Sequence, residues 1–162
     1  QAGVELLAYT SIPHADTSGL VLAQEHRATE EAIVASGLSR SFLRNSWYFE
    51  NYLMQLPAYL EHGAVLGAAG DGKVSAASRA DYAEAAAAAL LADQPQAAYE
   101  LGGTAFTLTD LAATVAAASG REVAYTDLPA DELTRALVGA GLPEEYAALA
   151  LHARCARRLG PG

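Results

Sequence analysis

The spacing of apolar and polar residues along the chain predicts strands that alternate with helices. Short apolar runs that end in small or polar residues predict buried strands, and longer segments with apolar residues every three or four positions predict helices. The predicted strands are Val4–Ser11, Ser39–Arg44, Tyr99–Leu101 and Val123–Thr126, with short strands beside the glycine-rich stretch Gly63–Gly72. The predicted helices are Leu20–Ser36, Tyr48–Leu60 with an interruption at Pro57, one that starts at Ser78, one that runs from Thr107 to Ser119, and a last one that ends near Gly141.

Two of the predicted helices carry a start signal, and two show a regular apolar face. Ser78 with Asp81 and Thr107 with Asp110 have the spacing of a capping box, in which a hydroxyl and a carboxylate bind each other's backbone N–H groups. The apolar faces predicted to pack on the sheet are Leu22, His26, Thr29 and Ile33 in the first helix, and Ala83, Ala86, Ala87, Leu90 and Leu91 in the helix after Ser78.

The alternation of strands and helices predicts an α/β fold with a mainly parallel sheet. A chain of 162 residues is the length of one domain, and we assign residues 1–150 to it. The basic, Gly/Pro-ended segment 151–162 is interpreted as a divergent tail.

Charge and composition exclude several classes of function. The net charge of −9 argues against a nucleic-acid partner. The sequence holds no apolar run long enough to span a membrane and does not start like a signal peptide. Its single cysteine, Cys155, excludes an internal disulfide and fits a reducing compartment, so we expect a cytoplasmic protein.

Polar and aromatic residues follow the second predicted strand, in the stretch Ser41–Leu53, which holds the only Trp of the chain. In open α/β sheets such a position borders the binding crevice, because the carboxyl ends of parallel strands line it. Asn45 and Asn51 can fix an amide, Trp47 and Tyr48 offer flat faces to a ring, and Glu50 can accept from a ribose hydroxyl or cap the next helix. The alternative is an edge strand whose aromatic residues close the core.

Four stretches, in the same order, resemble the NmrA-like atypical short-chain dehydrogenases, most closely their NAD(P)H:quinone oxidoreductase type 2 branch. They are Ala8–Ser11 with His14–Ser18, Arg44–Leu53, Gly67–Lys73 and Arg79–Ala83. The resemblance implies a Rossmann-like parallel sheet with a smaller C-terminal α/β substrate-side region. It also implies hydride transfer from NADPH, or else NADH, to a small-molecule quinone, and it allows a homo-oligomer.

The resemblance also implies site residues, although no catalytic residue can be named. It places Ser11, Asn45, Trp47, Tyr48, Glu50, Asn51 and Arg79 at the cofactor, and His14 and Tyr48 at the substrate. For Arg79 a surface salt bridge is the alternative, and for His14 a solvated loop position. His26 is interpreted either as an acid–base group or as a hydrogen-bonded histidine at the boundary of helix and sheet. The histidine spacing matches no zinc pattern, so no metal is expected.

One absence from the sequence favours a quinone over a carbonyl substrate. Related dehydrogenases pair the strand-end Ser with Tyr-x-x-x-Lys on the next helix, whereas that helix here has neither Tyr nor Lys. The pair protonates an alkoxide. A hydroquinone anion is delocalised and needs less help. A redox sensor that binds the dinucleotide without turnover is the alternative function.

The sequence also contains no glycine fingerprint for a pyrophosphate. In the family this fingerprint lies in the first strand–helix turn, upstream of anything that resembles this chain. We therefore expect a C-terminal fragment that lacks the glycine-rich half and is inactive alone, with Val4–Ser11 as an unpaired edge strand.

Overall fold

The computed structural model describes residues 3–139, which form two compact units. The first unit contains the described residues up to Tyr48 together with Ala76–Gly103. The second contains Phe49–Ser75 and the described residues from Thr104 onward. The predicted tail 151–162 and the predicted end of the last helix near Gly141 lie outside the described residues.

Strands and helices alternate through most of the described chain, which confirms the α/β class. The strands are β1 (Leu7–Ser11), β2 (Arg40–Asn45), β3 (Ala64–Gly67), β4 (Lys73–Val74), β5 (Ala98–Leu101), β6 (Phe106–Thr107) and β7 (Ala124–Asp127). The helices are α1 (Val21–Ala35), α2 (Phe49–Leu53), α3 (Leu56–His62), α4 (Arg79–Leu91), α5 (Leu108–Ser119) and α6 (Ala130–Gly139).

The first unit is built on a parallel sheet with the strand order β1-β2-β5. The central strand β2 buries Phe42 and Leu43, as expected for a strand with neighbours on both sides. Helices α1 and α4 belong to the same unit. Among the described residues β1 pairs on one side only, with β2, so it forms an edge of the described sheet.

The second unit contains two small sheets. Strands β3 and β7 are parallel, and the short strands β4 and β6 are antiparallel. A buried cluster of Tyr59, Val65, Ala112 and Val123 joins α3 and α5 to the β3–β7 pair. The glycine-rich stretch does not merely lie between two short strands, as the sequence suggested, because β3 itself occupies part of it.

Both predicted capping boxes are confirmed. The Ser78 and Thr107 hydroxyls each accept from the backbone N–H three residues on, at 3.0 Å, and the carboxylates of Asp81 and Asp110 accept from the N–H of the capping residue. The helix predicted over Tyr48–Leu60 is interrupted just before Pro57, because α2 ends at Leu53 and α3 begins at Leu56. Pro57 itself lies in the first turn of α3, where its missing N–H costs no helical hydrogen bond.

The predicted face of α1 is right in part, because His26, Thr29 and Ile33 are half-buried, and the predicted face of α4 is wrong. In α1 the buried residues are Ala23 and Glu30, whereas Leu22 is 39% exposed. A pattern of apolar residues misses this face because Glu30 is a charged residue buried by an ion pair. In α4 the buried residues are Tyr82 and Ala89, and Leu91 is 84% exposed. Alanine occupies so many positions of α4 that periodicity could not select a face.

Candidate functional site

The carboxyl ends of the three parallel strands in the first unit carry the polar residues that the sequence singled out. Ser11 ends β1 and Asn45 ends β2, and both are buried, with 4% and 6% of their surfaces exposed. The Ser11 hydroxyl and the Asn45 Oδ1 atom have no hydrogen-bond partner among the described residues. Because buried polar side chains are normally satisfied, these two atoms are available to a ligand.

The two residues approach this edge from different sides of the sheet. Ser11 pairs with Arg44 in the parallel register of β1 and β2, so the Ser11 and Arg44 side chains share a face. Asn45 follows Arg44 and therefore points to the opposite face, because side chains alternate along a strand. Its Nδ2 atom donates to the Tyr48 hydroxyl over 3.4 Å.

The segment after β2 is attached to the start of α4. The Trp47 carbonyl accepts from the Ala77 N–H at 3.1 Å and from the Tyr82 hydroxyl at 3.2 Å. The Tyr48 and Tyr82 rings meet edge to face with their centroids 5.2 Å apart, and the Arg79 guanidinium lies 5.7 Å from the centroid of Tyr48. Burial, and to a lesser extent the nearby Tyr48, raises the pKa of Tyr82 to about 12. The structure thus brings Tyr48 and Arg79 into contact, and their role at a cofactor stays a prediction.

Arg44 forms an ion-pair network that the sequence analysis missed. Its guanidinium binds both carboxylate oxygens of Glu30, at 3.0 and 2.7 Å, and also contacts Glu100 at 3.0 Å and Asp16 at 3.1 Å. The hydrogen bond to Glu30 raises the pKa of Arg44, so this side chain is charged at every pH at which the protein folds. An arginine inside a buried strand was the one signal that could have revealed the network.

The loop after β1 is held from two sides. The His14 N–H donates to the Glu100 carboxylate, at 3.1 Å to the nearer oxygen. Arg27 donates to the Ala15 carbonyl at 2.9 Å and to the Ser18 carbonyl at 2.8 Å. The side chain of His14 is half exposed.

The other predicted site residues are distributed between the units. His26 is the hydrogen-bonded histidine of the second alternative, because its Nδ1 atom lies 2.8 Å from the Tyr9 hydroxyl between α1 and β1. Glu50 and Asn51 lie in α2, which belongs to the second unit, and both are half-buried. The roles of these two residues at a ligand stay predictions.

Two backbone amides of the glycine-rich loop of the second unit are bound by side chains of β7. The Tyr125 hydroxyl accepts from the Ala69 N–H at 2.9 Å, and Asp127 accepts from the Gly70 N–H at 2.8 Å. The Tyr125 hydroxyl in turn donates to Asp127. Burial and this carboxylate raise the pKa of Tyr125 to about 12. An anion would need the same N–H groups, so this loop does not form a phosphate site.

The described part of the chain offers neither a metal-binding cluster nor a membrane-spanning helix. Within residues 3–139, no three His, Cys, Asp or Glu side chains are grouped in a way that could hold a metal ion. Among the same residues, no helix has the length and apolar character needed to cross a membrane.

No protein-family model matches the chain, but individual proteins do. Quinone oxidoreductase 2 of Escherichia coli is 51% identical over 148 residues, which are 90% of this chain and 52% of that protein. The crystal structure of the NADPH-dependent quinone oxidoreductase from E. coli in complex with NADPH matches 99% of this chain and 58% of its own, with a TM-score of 0.93 and 45% identity.

A reductase with another substrate is also similar. Triphenylmethane reductase of Citrobacter sp., in a crystal structure with NADP(H), is 30% identical and matches with a TM-score of 0.87, over 99% of this chain and 59% of its own. The chain spans about half the length of the relatives it matches.

Proposed function

Since this chain belongs to the NmrA-like family that includes quinone oxidoreductase 2, we propose that its full-length gene product transfers hydride from NADPH to a quinone. In this proposal the chain supplies the nicotinamide side and the quinone side of the site. NADPH is favoured over NADH because the similar E. coli and Citrobacter enzymes are described with NADPH or NADP(H). A cytoplasmic location and a homo-oligomer remain part of the proposal.

The observation that carries the proposal is the unpartnered Oδ1 atom of the buried Asn45 side chain, at the end of the central strand. A buried amide oxygen that lacks a partner costs roughly 1–3 kcal/mol, and at the carboxyl end of a strand, unlike at Ser41 within β2, a ligand can complete its hydrogen bonds. The carboxamide of a nicotinamide has one N–H₂ donor and one carbonyl acceptor. In either orientation of the Asn45 side chain, one polar atom faces Tyr48 and the other is left for such a group.

The residues at the strand ends act by binding and orientation. Bound NADPH would supply the hydride, and the protein is needed to hold the nicotinamide and quinone rings in a reactive orientation. Asn45 would fix the carboxamide, while the aromatic ring of Tyr48, held between Tyr82 and Arg79, would limit the movement of the nicotinamide. The Ser11 hydroxyl, which is buried and unpartnered, can donate to a carbonyl or quinone oxygen as negative charge develops there.

The proposal is tested by removing the polar atoms of Asn45 without changing its volume greatly. In the full-length gene product, Asn45→Leu should lower kcat/KM for NADPH at least about tenfold, or roughly 1.4 kcal/mol. Ser41→Ala is the matched control, because the Ser41 hydroxyl is also buried and unpartnered but lies within β2, away from its carboxyl end.

Two outcomes are informative. Equal effects of Asn45→Leu and Ser41→Ala on kcat/KM would contradict the site. Saturable NADPH binding by the wild type without reduction of any quinone would favour the redox sensor.

The chain of 162 residues alone should not bind NADPH tightly, because it has no glycine fingerprint for the pyrophosphate. Saturable binding at low micromolar concentration, followed by Trp47 fluorescence, would contradict that expectation.

A further inference from the structure

The loop between β1 and α1 is held by hydrogen bonds within its own backbone and by hydrogen bonds from a side chain of α1. Its backbone closes on itself, because the N–H groups of Thr17 and Ser18 both donate to the His14 carbonyl, at 2.9 and 2.6 Å. Ala15 within it is fully buried. Arg27 binds two of its carbonyls from the side of α1.

His14 itself has an unusual backbone conformation. Its φ angle of 50° lies in the left-handed region, and no other residue except glycine has a positive φ among the described residues. A side chain with a Cβ atom pays a conformational cost there, which persists only where the surroundings fix the backbone. Glu100 provides such a restraint, because its carboxylate accepts the His14 N–H.

Glu100 is held in its turn by Arg44. The carboxylate accepts from Arg44 at 3.0 Å, and Arg44 is anchored to the buried Glu30 by two hydrogen bonds. A continuous series of hydrogen bonds thus connects Glu30 in α1, Arg44 in β2 and Glu100 in β5 to the backbone N–H of His14. The imidazole of His14 stays half exposed, with Nδ1 3.7 Å from Glu100.

We propose that Glu100, supported by Arg44, is a positioning residue that fixes the His14 loop so that the imidazole meets the quinone. This inference rests on the proposed function and extends it to residues that the resemblance does not assign. Fixing the imidazole before the substrate arrives removes the entropy of ordering the loop during binding, so the network should act mainly on the KM for the quinone. NADPH binding should be independent of it.

The first experiment tests the loop and does not depend on turnover. Hydrogen exchange in the full-length gene product should be slow at residues 12–18 and should become faster there, and not in α5, in Glu100→Gln. Glu31→Gln removes one exposed carboxylate from α1 in the same unit and should leave exchange at 12–18 unchanged. Unchanged exchange at 12–18 in Glu100→Gln would overturn the proposal.

The second experiment asks whether Glu100 acts through His14. Glu100→Gln should raise the quinone KM about tenfold, with kcat and the NADPH KM within about twofold. In a His14→Gly background, where the backbone is relaxed and the imidazole is lost, Glu100→Gln should have no further effect on the quinone KM. If Glu100→Gln raised the quinone KM by the same factor in the wild-type and His14→Gly backgrounds, Glu100 would not act through His14.

A third variant keeps the test valid if Glu100→Gln does not fold. Asn is tolerated in the left-handed region, so His14→Asn should keep the slow exchange of the loop while it raises the quinone KM. An unchanged quinone KM in His14→Asn would overturn the proposal. A wild type that reduces no quinone would refute the proposed function instead, and the exchange experiment would still decide whether Glu100 orders the loop.

Discussion

In the first unit, Ser11 and Asn45 end neighbouring parallel strands with buried polar atoms that form no hydrogen bond to a described residue. In the second unit, the amides of Ala69 and Gly70, just beyond the end of β3, are bound by Tyr125 and Asp127. Each unsatisfied buried group costs roughly 1–3 kcal/mol, so the two arrangements have opposite effects on stability. Hydrogen-bonding groups are therefore left unused at the strand ends of the first unit and are used within the fold in the second, although the glycine-rich loop looks more like a ligand site in the sequence.

The largest effect on stability is expected when the glycine-rich loop of the second unit loses the side chain that binds its Gly70 amide. Asp127→Ala removes the acceptor of the Gly70 N–H and of the Tyr125 hydroxyl, so it should lower the free energy of unfolding by about 2 kcal/mol. The kcat/KM for quinone reduction should not change. Urea unfolding and steady-state kinetics measure the two quantities. A loss of kcat/KM at unchanged stability would reverse the comparison.

The converse result, a loss of activity without a loss of stability, is expected at the strand ends of the first unit. Ser11→Ala removes a hydroxyl that makes no hydrogen bond within the described structure, so stability should change by less than about 0.5 kcal/mol. Quinone reduction should fall about tenfold, or roughly 1.4 kcal/mol, if the hydroxyl contacts the substrate. A clear loss of stability would show that the Ser11 hydroxyl supports the fold, and the comparison would then fail.

The capping boxes provide a smaller comparison of equal features in the two units. Ser78→Ala and Thr107→Ala each remove a hydroxyl that accepts a hydrogen bond in the first turn of a helix, and each should cost about 1 kcal/mol. Hydrogen exchange should become faster in α4 for the first variant and in α5 for the second. Glycine variants, which retain much of the N-cap preference, should be milder. Equal exchange changes in both helices for one variant would contradict a local effect.

The smallest effect concerns two tyrosines, one in each unit, whose pKa is raised to about 12. An unfolded tyrosine ionises near pH 10, so the folded state holds these protons more tightly. Their contribution to stability is therefore complete below about pH 10 and is lost as the pH rises through about 12. Near-ultraviolet absorbance should show late tyrosinate transitions, and Tyr82→Phe and Tyr125→Phe should each remove one of them. Titration of either phenol near pH 10 would contradict its burial.

Features that depend on neighbours in the sequence could be predicted, and those that depend on distant partners could not. The capping boxes at Ser78 and Thr107 were found because each lies within four residues. The alternation of strands and helices predicted the α/β class, and the position just after a buried strand predicted that Asn45 lies at a strand end, whereas its role at a cofactor stays a prediction. The pairing of Glu30 with Arg44 was missed, because periodicity treats every charged residue as exposed while burial of an ion pair is decided by the tertiary structure.

The glycine-rich loop was similarly ambiguous in the sequence. Its composition matches that of loops that bind anions, and only Tyr125 and Asp127, far along the chain, show that its amides are used within the fold. The buried face of α4 was ambiguous as well, because alanines occur on every side of this helix. The structure shows that Tyr82 lies on the buried face.

The order in which the ribosome delivers the chain follows from its three passages between the units. Residues up to Tyr48 are synthesised before the second unit, but β2 lacks its neighbour β5 until Ala98–Leu101 is synthesised. The intervening segment Phe49–Ser75 must wait longer, because β3 pairs with β7. Domains usually fold in the order of synthesis. Here the nascent chain carries unpaired strands from both units at once, so a slow stretch of translation beyond Gly103 would favour completion of the first unit before the second begins to fold.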